Sequence, residues 1–116
     1  MSKRQLSRAD LAGLGKERAR LHGALFFLSA FELPKGQEAR FTCVISKKIA
    51  PSAVQRNTVR RRCREAARAR VQELHIPLAL VFRAKKGARG AVFADIRREV
   101  FSLIEKVADT RYNTHQ

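Results

Sequence analysis

The sequence predicts an α+β sandwich, one mixed sheet with helices mainly on one face, in the order α-β-β-β-α-β-α. Three observations carry that prediction. Phe41, Cys43 and Ile45 alternate with Thr42, Val44 and Ser46, the period of a strand. From Leu78 to Phe82 no polar residue interrupts the chain, as in a central strand covered on both faces. Apolar residues return at helical spacing over 52–74 and again over 91–108. The 116 residues suit a single domain, 1–116, large enough to bury a core without staples.

Taken in chain order, residues 1–6 are polar and expected to be loose. Ser7 can cap a short helix, with Asp10 three residues on and Leu11 and Leu14 facing inward. The glycines at 13 and 15 weaken that helix. The stretch "ARLHGALFFLSAFEL" is rich in aromatic and large aliphatic residues and reads as two strands broken at Gly23. Pro34 and Gly36 supply a turn into the strand at 41–46, so the two flanking strands are expected to form an antiparallel hairpin.

Pro51 disfavours helix at Ala50, and Ser52 opens a long Arg/Ala-rich helix that Pro77 stops. "LALVFRA" is the central strand, and "KKGARG" a basic glycine loop. In the last helix Ile96, Val100, Leu103, Ile104 and Val107 form the buried stripe. The tail "DTRYNTHQ" has no pattern and is expected to be loose over 109–116. The strand–helix–strand unit over 41–84 can pair its strands in parallel, for which a right-handed crossover is the default.

Charge is the strongest compositional signal. Against 10 acidic residues stand 25 Lys and Arg, a formal net charge of +15. Self-repulsion on that scale calls for a polyanionic partner. Nucleic acid is the usual one, because each phosphate contacted also releases a condensed counterion. An anionic membrane surface is the rival, but no span or signal segment is read: "ALFFLSAF" is short, starts late and follows Asp10 and Glu17. Cys43 and Cys63 belong to no CxxC pair and the three histidines are scattered, so no zinc site is expected. Both thiols read as small buried hydrophobes in a reducing cytoplasm.

The charge concentrates in "SAVQRNTVRRRCREAARAR", which holds seven arginines and one acid, Glu65. On a helical wheel Arg60, Arg61, Arg64, Arg68 and Asn57 share an arc that starts near Arg56, while Val59, Cys63 and Ala66 lie opposite. Arg62 and Arg70 fall off the arc and read as ordinary surface charges. A merely solvated face would mix signs, because like charges four residues apart repel. The ladder Arg56–Arg60–Arg64–Arg68 therefore points to phosphate, which the guanidinium fork matches. Asn57 either bonds a base edge or a sugar hydroxyl, or caps the helix. Lys47 and Lys48, at the end of the preceding strand, extend the basic field or serve as edge-strand charges. No catalytic constellation is visible: there is no close Ser/His/Asp set and no HxE, Walker or glycine-fingerprint motif. Asp10, Glu65 and Asp95 read as isolated carboxylates.

The stretch "SKKIAPSAVQRNTVRRRCREAAR" resembles the signature of the bacterial ribonuclease P protein subunit. In that family a strand ending in Ser-Lys-Lys leads through a short turn to Arg-Asn-x-x-(Lys/Arg)-Arg-x-x-Arg on a helix. Ser46, Lys47 and Lys48 match the first part, and Arg56, Asn57, Arg60, Arg61 and Arg64 the second. The resemblance implies a non-catalytic protein subunit bound to a catalytic RNA that removes the 5′ leader of precursor tRNA by metal-assisted hydrolysis. The partners implied are that RNA and precursor tRNA, with no membrane, the protein being monomeric within the ribonucleoprotein. No cofactor is implied for the protein alone, and Mg2+ is implied for the RNA–protein holoenzyme. The family's arginine helix lies in a left-handed crossover, which would replace the right-handed default. Its leader cleft, between the sheet face and the helices, suggests Phe27 and Phe41 as floor residues. Thr58 stands where the family often has a basic residue, and the first helix offers Leu11, Leu14 and Gly15 where aromatic residues are common. A ribosomal or general RNA-binding protein using the same helix is the alternative.

Overall fold

The computed structural model describes residues 4–113, with side chains described through residue 109. Its elements are α1 (Arg8–Ala12), β1 (Glu17–His22), β2 (Phe26–Glu32), β3 (Arg40–Val44), α2 (Ala53–Val71), β4 (Leu78–Ala84), a 3₁₀ turn (Lys86–Gly90) and α3 (Phe93–Asn113). The four strands form one mixed sheet in the order β1-β2-β4-β3. The α+β sandwich and the single mixed sheet are as the sequence predicts.

The pairing differs from expectation in one place. The strands on either side of Pro34 do not form a hairpin. β4 lies between them, antiparallel to β2 and parallel to β3. The hairpin is instead β1–β2, closed through Gly23, whose N–H donates to the Phe26 carbonyl at 2.8 Å. The cause lies in β4, where the first five residues are all buried. Such a strand needs neighbours on both edges and cover on both faces. Between β3 and β4 the 19-residue helix α2 supplies the long crossover that parallel pairing requires.

On one sheet face Phe26, Leu28 and Ala30 of β2, Phe41 and Cys43 of β3, and Leu80 and Phe82 of β4 meet the apolar stripes of α2 and α3. Phe26, Phe41 and Phe82 are each 0% exposed, and burial of a side chain that size contributes about 1.5–3 kcal/mol. On the other face a smaller cluster gathers Leu6, Ala79 and Val81 under Leu11 and Leu14, so α1 covers part of that face.

The chain ends are more ordered than composition suggests. Phe41 N–H donates to the Arg4 carbonyl, and Leu6 N–H to the Phe41 carbonyl, both at 2.7 Å. Residues 4–6 thereby cover the outer edge of β3, and Leu6 is buried. Helix α3 runs on to Asn113, past the expected end at 108. The remaining residues expected to be loose, 1–3 and 114–116, lie outside the described residues. The basic glycine stretch is a 3₁₀ turn rather than an open loop, because Ala88 anchors it in the core.

Local chemistry places α1 and α2. Ser7 and Asp10 form a reciprocal capping box, and Arg40 Nη2 donates to Asp10 Oδ2 at 2.9 Å. This ties α1 to the start of β3. Ser52 caps α2, its hydroxyl accepting from Gln55 N–H. At the far end Arg4 Nη1 donates to the Val71 carbonyl at 3.3 Å, satisfying one of the acceptors a helix C-terminus leaves open.

Candidate nucleic-acid interface

Helix α2 docks through Val59, Cys63, Ala66, Ala67 and Val71, all buried. Cys43 and Cys63, both free thiols, meet between β3 and α2 with their sulfurs 2.7 Å apart. Burial first, and Cys43 second, push the Cys63 thiol well above its ordinary range. Both sulfurs are buried in the folded core.

With that stripe fixed, the arginines separate by environment. Asn57, Arg61 and Arg68 are exposed on the outer side of α2. Arg61 is 3.7 Å from Glu65, and Arg68 makes no ion pair among the described residues. Arg56, Arg60 and Arg64 are half-buried on one flank. Arg56 Nη1 turns back to the carbonyls of Ala50 and Pro51, at 3.0 and 2.9 Å. Arg60 Nη1 donates to Asn57 Oδ1 at 2.8 Å. Arg64 keeps a buried Nε without a protein partner.

Several alternatives left by the sequence are decided here. Asn57 is not the cap; Ser52 is, five residues earlier. Lys47 and Lys48 lie in an exposed turn beyond the end of β3, so they are not edge-strand charges. Arg62 and Arg70 are not ordinary surface charges. Arg62 Nη1 donates to the Ala91 carbonyl at 2.7 Å, and Arg70 reaches Glu73 and Glu105 at 2.8 and 3.1 Å. Both join α2 to the neighbouring chain. Thr58 Oγ1 donates to the Val54 carbonyl and stays within its own helix.

The carboxylates that seemed isolated each have a basic partner: Asp10 with Arg40, Glu65 with Arg61, Asp95 with Arg98. Among the described residues no group of three or more His, Cys, Asp or Glu is placed to hold a metal. No described helix is long and apolar enough to cross a membrane.

A second basic surface lies on the sheet face that α1 leaves partly open. Phe27 points to this side and stacks on His22 with ring centroids 5.4 Å apart. The guanidinium groups of Arg20 and Arg83 stand 5.7 and 5.9 Å from the same ring. Phe41 is elsewhere: it is fully buried on the opposite, helix-covered face and cannot floor an open cleft. Arg20, His22 and Arg83 escaped the sequence reading. The signal for two of them was present in "RARLH", where Arg20 and His22 alternate with Ala19 and Leu21.

The family model for Ribonuclease P matches residues 2–108, nearly the whole chain. The chain belongs to the ribonuclease P protein family. Solved structures agree on the fold. The ribonuclease P protein of Staphylococcus aureus superposes with a TM-score of 0.76 at 17% identity, covering 91% of this chain and 96% of that one. For the ribonuclease P protein of Thermotoga maritima the TM-score is 0.69 at 18% identity, covering 78% and 84%. Identities this low speak for the fold alone. Comparison with curated protein sequences finds no significant match. The stretch that resembles the family signature in sequence falls on the turn and helix just described, with Lys47 and Lys48 leading into the side of α2 that carries Asn57, Arg60, Arg61 and Arg64.

Proposed function

We propose that this protein is the subunit of ribonuclease P that binds the catalytic RNA and the 5′ leader of precursor tRNA and assists endonucleolytic removal of the leader. The observation that carries this reading is the assembly of Lys47, Lys48, Arg56, Asn57, Arg60, Arg61, Arg64 and Arg68 along one turn and helix, with Glu65 the only acid within α2. These residues grip the catalytic RNA through its phosphates, with Asn57 offering its amide to a base edge or sugar. Phe27, with His22, Arg20 and Arg83 around it, is the surface for the single-stranded leader, where an aromatic ring and cations suit stacked bases and backbone. The cleavage chemistry and the Mg2+ it uses belong to the RNA. The protein works in the cytoplasm, one copy in the ribonucleoprotein.

Binding measurements test both halves. The protein should bind ribonuclease P RNA more tightly than an unrelated structured RNA of equal length. The assembled complex should prefer precursor tRNA with a leader over mature tRNA, and Phe27→Ala should reduce that preference without weakening binding to the catalytic RNA. Equal affinity for both large RNAs would leave only a general RNA-binding protein.

A further inference from the structure

Helix α3 carries a stripe, exposed at Phe93 and Arg97 and half-buried at Phe101, that the proposed function does not use. Phe93, Arg97 and Phe101 follow one another at intervals of four residues, so they line one side of the helix. An exposed arginine usually finds acids at such spacing, but Arg97 has a phenylalanine on each side. Its guanidinium lies 4.6 Å from the Phe101 ring centroid, and it makes no ion pair among the described residues. From the other helix Arg70 approaches the same ring at 5.4 Å.

Phe93, Arg97 and Phe101 border a shallow depression of about 570 Å³, completed by Ala94, Arg98, Ser102 and Glu105. Its acid is already engaged, because Glu105 accepts from Arg70 at 3.1 Å. Of the three large hydrophobic residues exposed among those described, Phe93 at 37% lines the depression, and Val92 at 58% precedes it in the chain. Exposed aromatic surface beside an unpaired guanidinium combines a stacking platform with a cation for backbone phosphate. A protein partner offering an acidic, apolar segment would meet the same groups. The net charge of +15 and the contiguity of α3 with the arginine helix favour RNA.

We infer that the depression between Phe93, Arg97 and Phe101 is a second contact for single-stranded RNA, in which a base stacks on the Phe–Arg stripe and a neighbouring phosphate meets Arg97. It belongs to the helical layer, opposite the sheet face that carries Phe27. It therefore takes a different segment of RNA from the leader surface. The inference rests on the proposed RNA-binding role but not on the identity of the catalytic RNA.

The test uses the full chain and two labelled strands of equal length and charge: oligoadenylate, and the same sugar–phosphate strand without bases. Fluorescence anisotropy gives the affinity of each for wild type, for the Phe93→Ala/Arg97→Ala double variant and for Arg97→Lys. Circular dichroism checks that each folds. The double variant should lose about fivefold or more on oligoadenylate, the scale of one stacked base, and much less on the abasic strand. Arg97→Lys keeps the charge but not the planar stack, and should show the same selective loss in weaker form. Unchanged oligoadenylate binding in the double variant overturns the inference, as does an equal loss on both strands. A wild-type dimer in sedimentation that Phe93→Ala disperses also overturns it, by assigning the stripe to a second copy. Arg61→Ala in the same assay keeps the two readings apart. If it binds labelled ribonuclease P RNA like wild type while the double variant loses selectively on oligoadenylate, the arginine-helix reading fails and the α3 contact stands.

Discussion

Arg60 Nη1 donates to Asn57 Oδ1 at 2.8 Å, one helical turn back on the exposed side of α2. A guanidinium has no acceptor, so the bond fixes which end of the Asn57 amide faces Arg60. The amide nitrogen, with two donors, is thereby turned away from Arg60. The pair is a pre-arranged donor set in which the arginine holds the asparagine as well as adding charge.

Asn57→Ala should weaken binding to ribonuclease P RNA by about 1–2 kcal/mol, the scale of a good polar contact to a base or sugar. Arg60→Ala should lose a similar amount. The double variant should lose less than the sum, because the two act as one unit. Additive losses in a double-mutant cycle would show that they act separately. Thermal stability should stay unchanged in all three, since the bond is exposed.

The arginines of α2 should divide into two classes in one pair of measurements. Arg61→Ala should reduce the slope of log affinity against log salt by about one, with little change in melting temperature. Arg62→Ala and Arg70→Ala should do the reverse and destabilise by about 1 kcal/mol, because their guanidinium groups reach the Ala91 carbonyl and Glu105. A slope unchanged in Arg61→Ala would remove it from the phosphate contacts.

That division shows how far the sequence reaches. The wheel places Val59, Cys63 and Ala66 against the core, because the period of a helix is local information. It cannot place Arg62 and Arg70, since their partners lie on segments 29 and 35 residues away. The same limit explains Phe41. Both faces of the sheet carry apolar residues, so alternation alone does not say which one α2 and α3 cover. Phe27 and Phe41 look equivalent in sequence and end on opposite faces. The expected hairpin failed for a related reason: a short loop favours adjacent strands, but β4, apolar and buried from Leu78 to Phe82, required an interior position.

Gly23 and Glu99 provide a stability test away from the RNA surfaces. The Glu99 carboxylate accepts from the N–H groups of Ala24, Leu25 and Phe26, at 2.9, 2.7 and 2.7 Å. A Cβ on Gly23 would lie 2.5 Å from Glu99 Cδ. The carboxylate is held by three bonds and cannot swing aside without losing them. Gly23→Ala should destabilise by about 1–3 kcal/mol and Glu99→Gln by a similar amount. In a Glu99→Ala background, Gly23→Ala should cost much less. An equal cost in both backgrounds, measured by denaturant unfolding, would rule out the clash as the cause.

Asp10 gives the fold an acid-sensitive joint. The Ser7 backbone N–H, then the Ser7 hydroxyl, and Arg40 beside them hold the Asp10 carboxyl below its ordinary value of 3.8. A depressed folded value means that the contribution is fully present above 3.8 and fades as pH falls through the lower folded value. The wild type should therefore lose stability more steeply below about pH 4 than Asp10→Asn, which lacks the charge throughout. Parallel acid-unfolding curves for the two proteins would contradict this.

The central claim is that the basic side of α2 serves a catalytic RNA. Its most direct test is reconstituted cleavage of precursor tRNA at low Mg2+ with the source's ribonuclease P RNA. Wild-type protein should accelerate leader removal over RNA alone, and a variant combining Arg60→Ala, Arg61→Ala and Arg64→Ala should lose that gain while remaining folded. Cleavage no faster with the protein than with RNA alone would contradict the account.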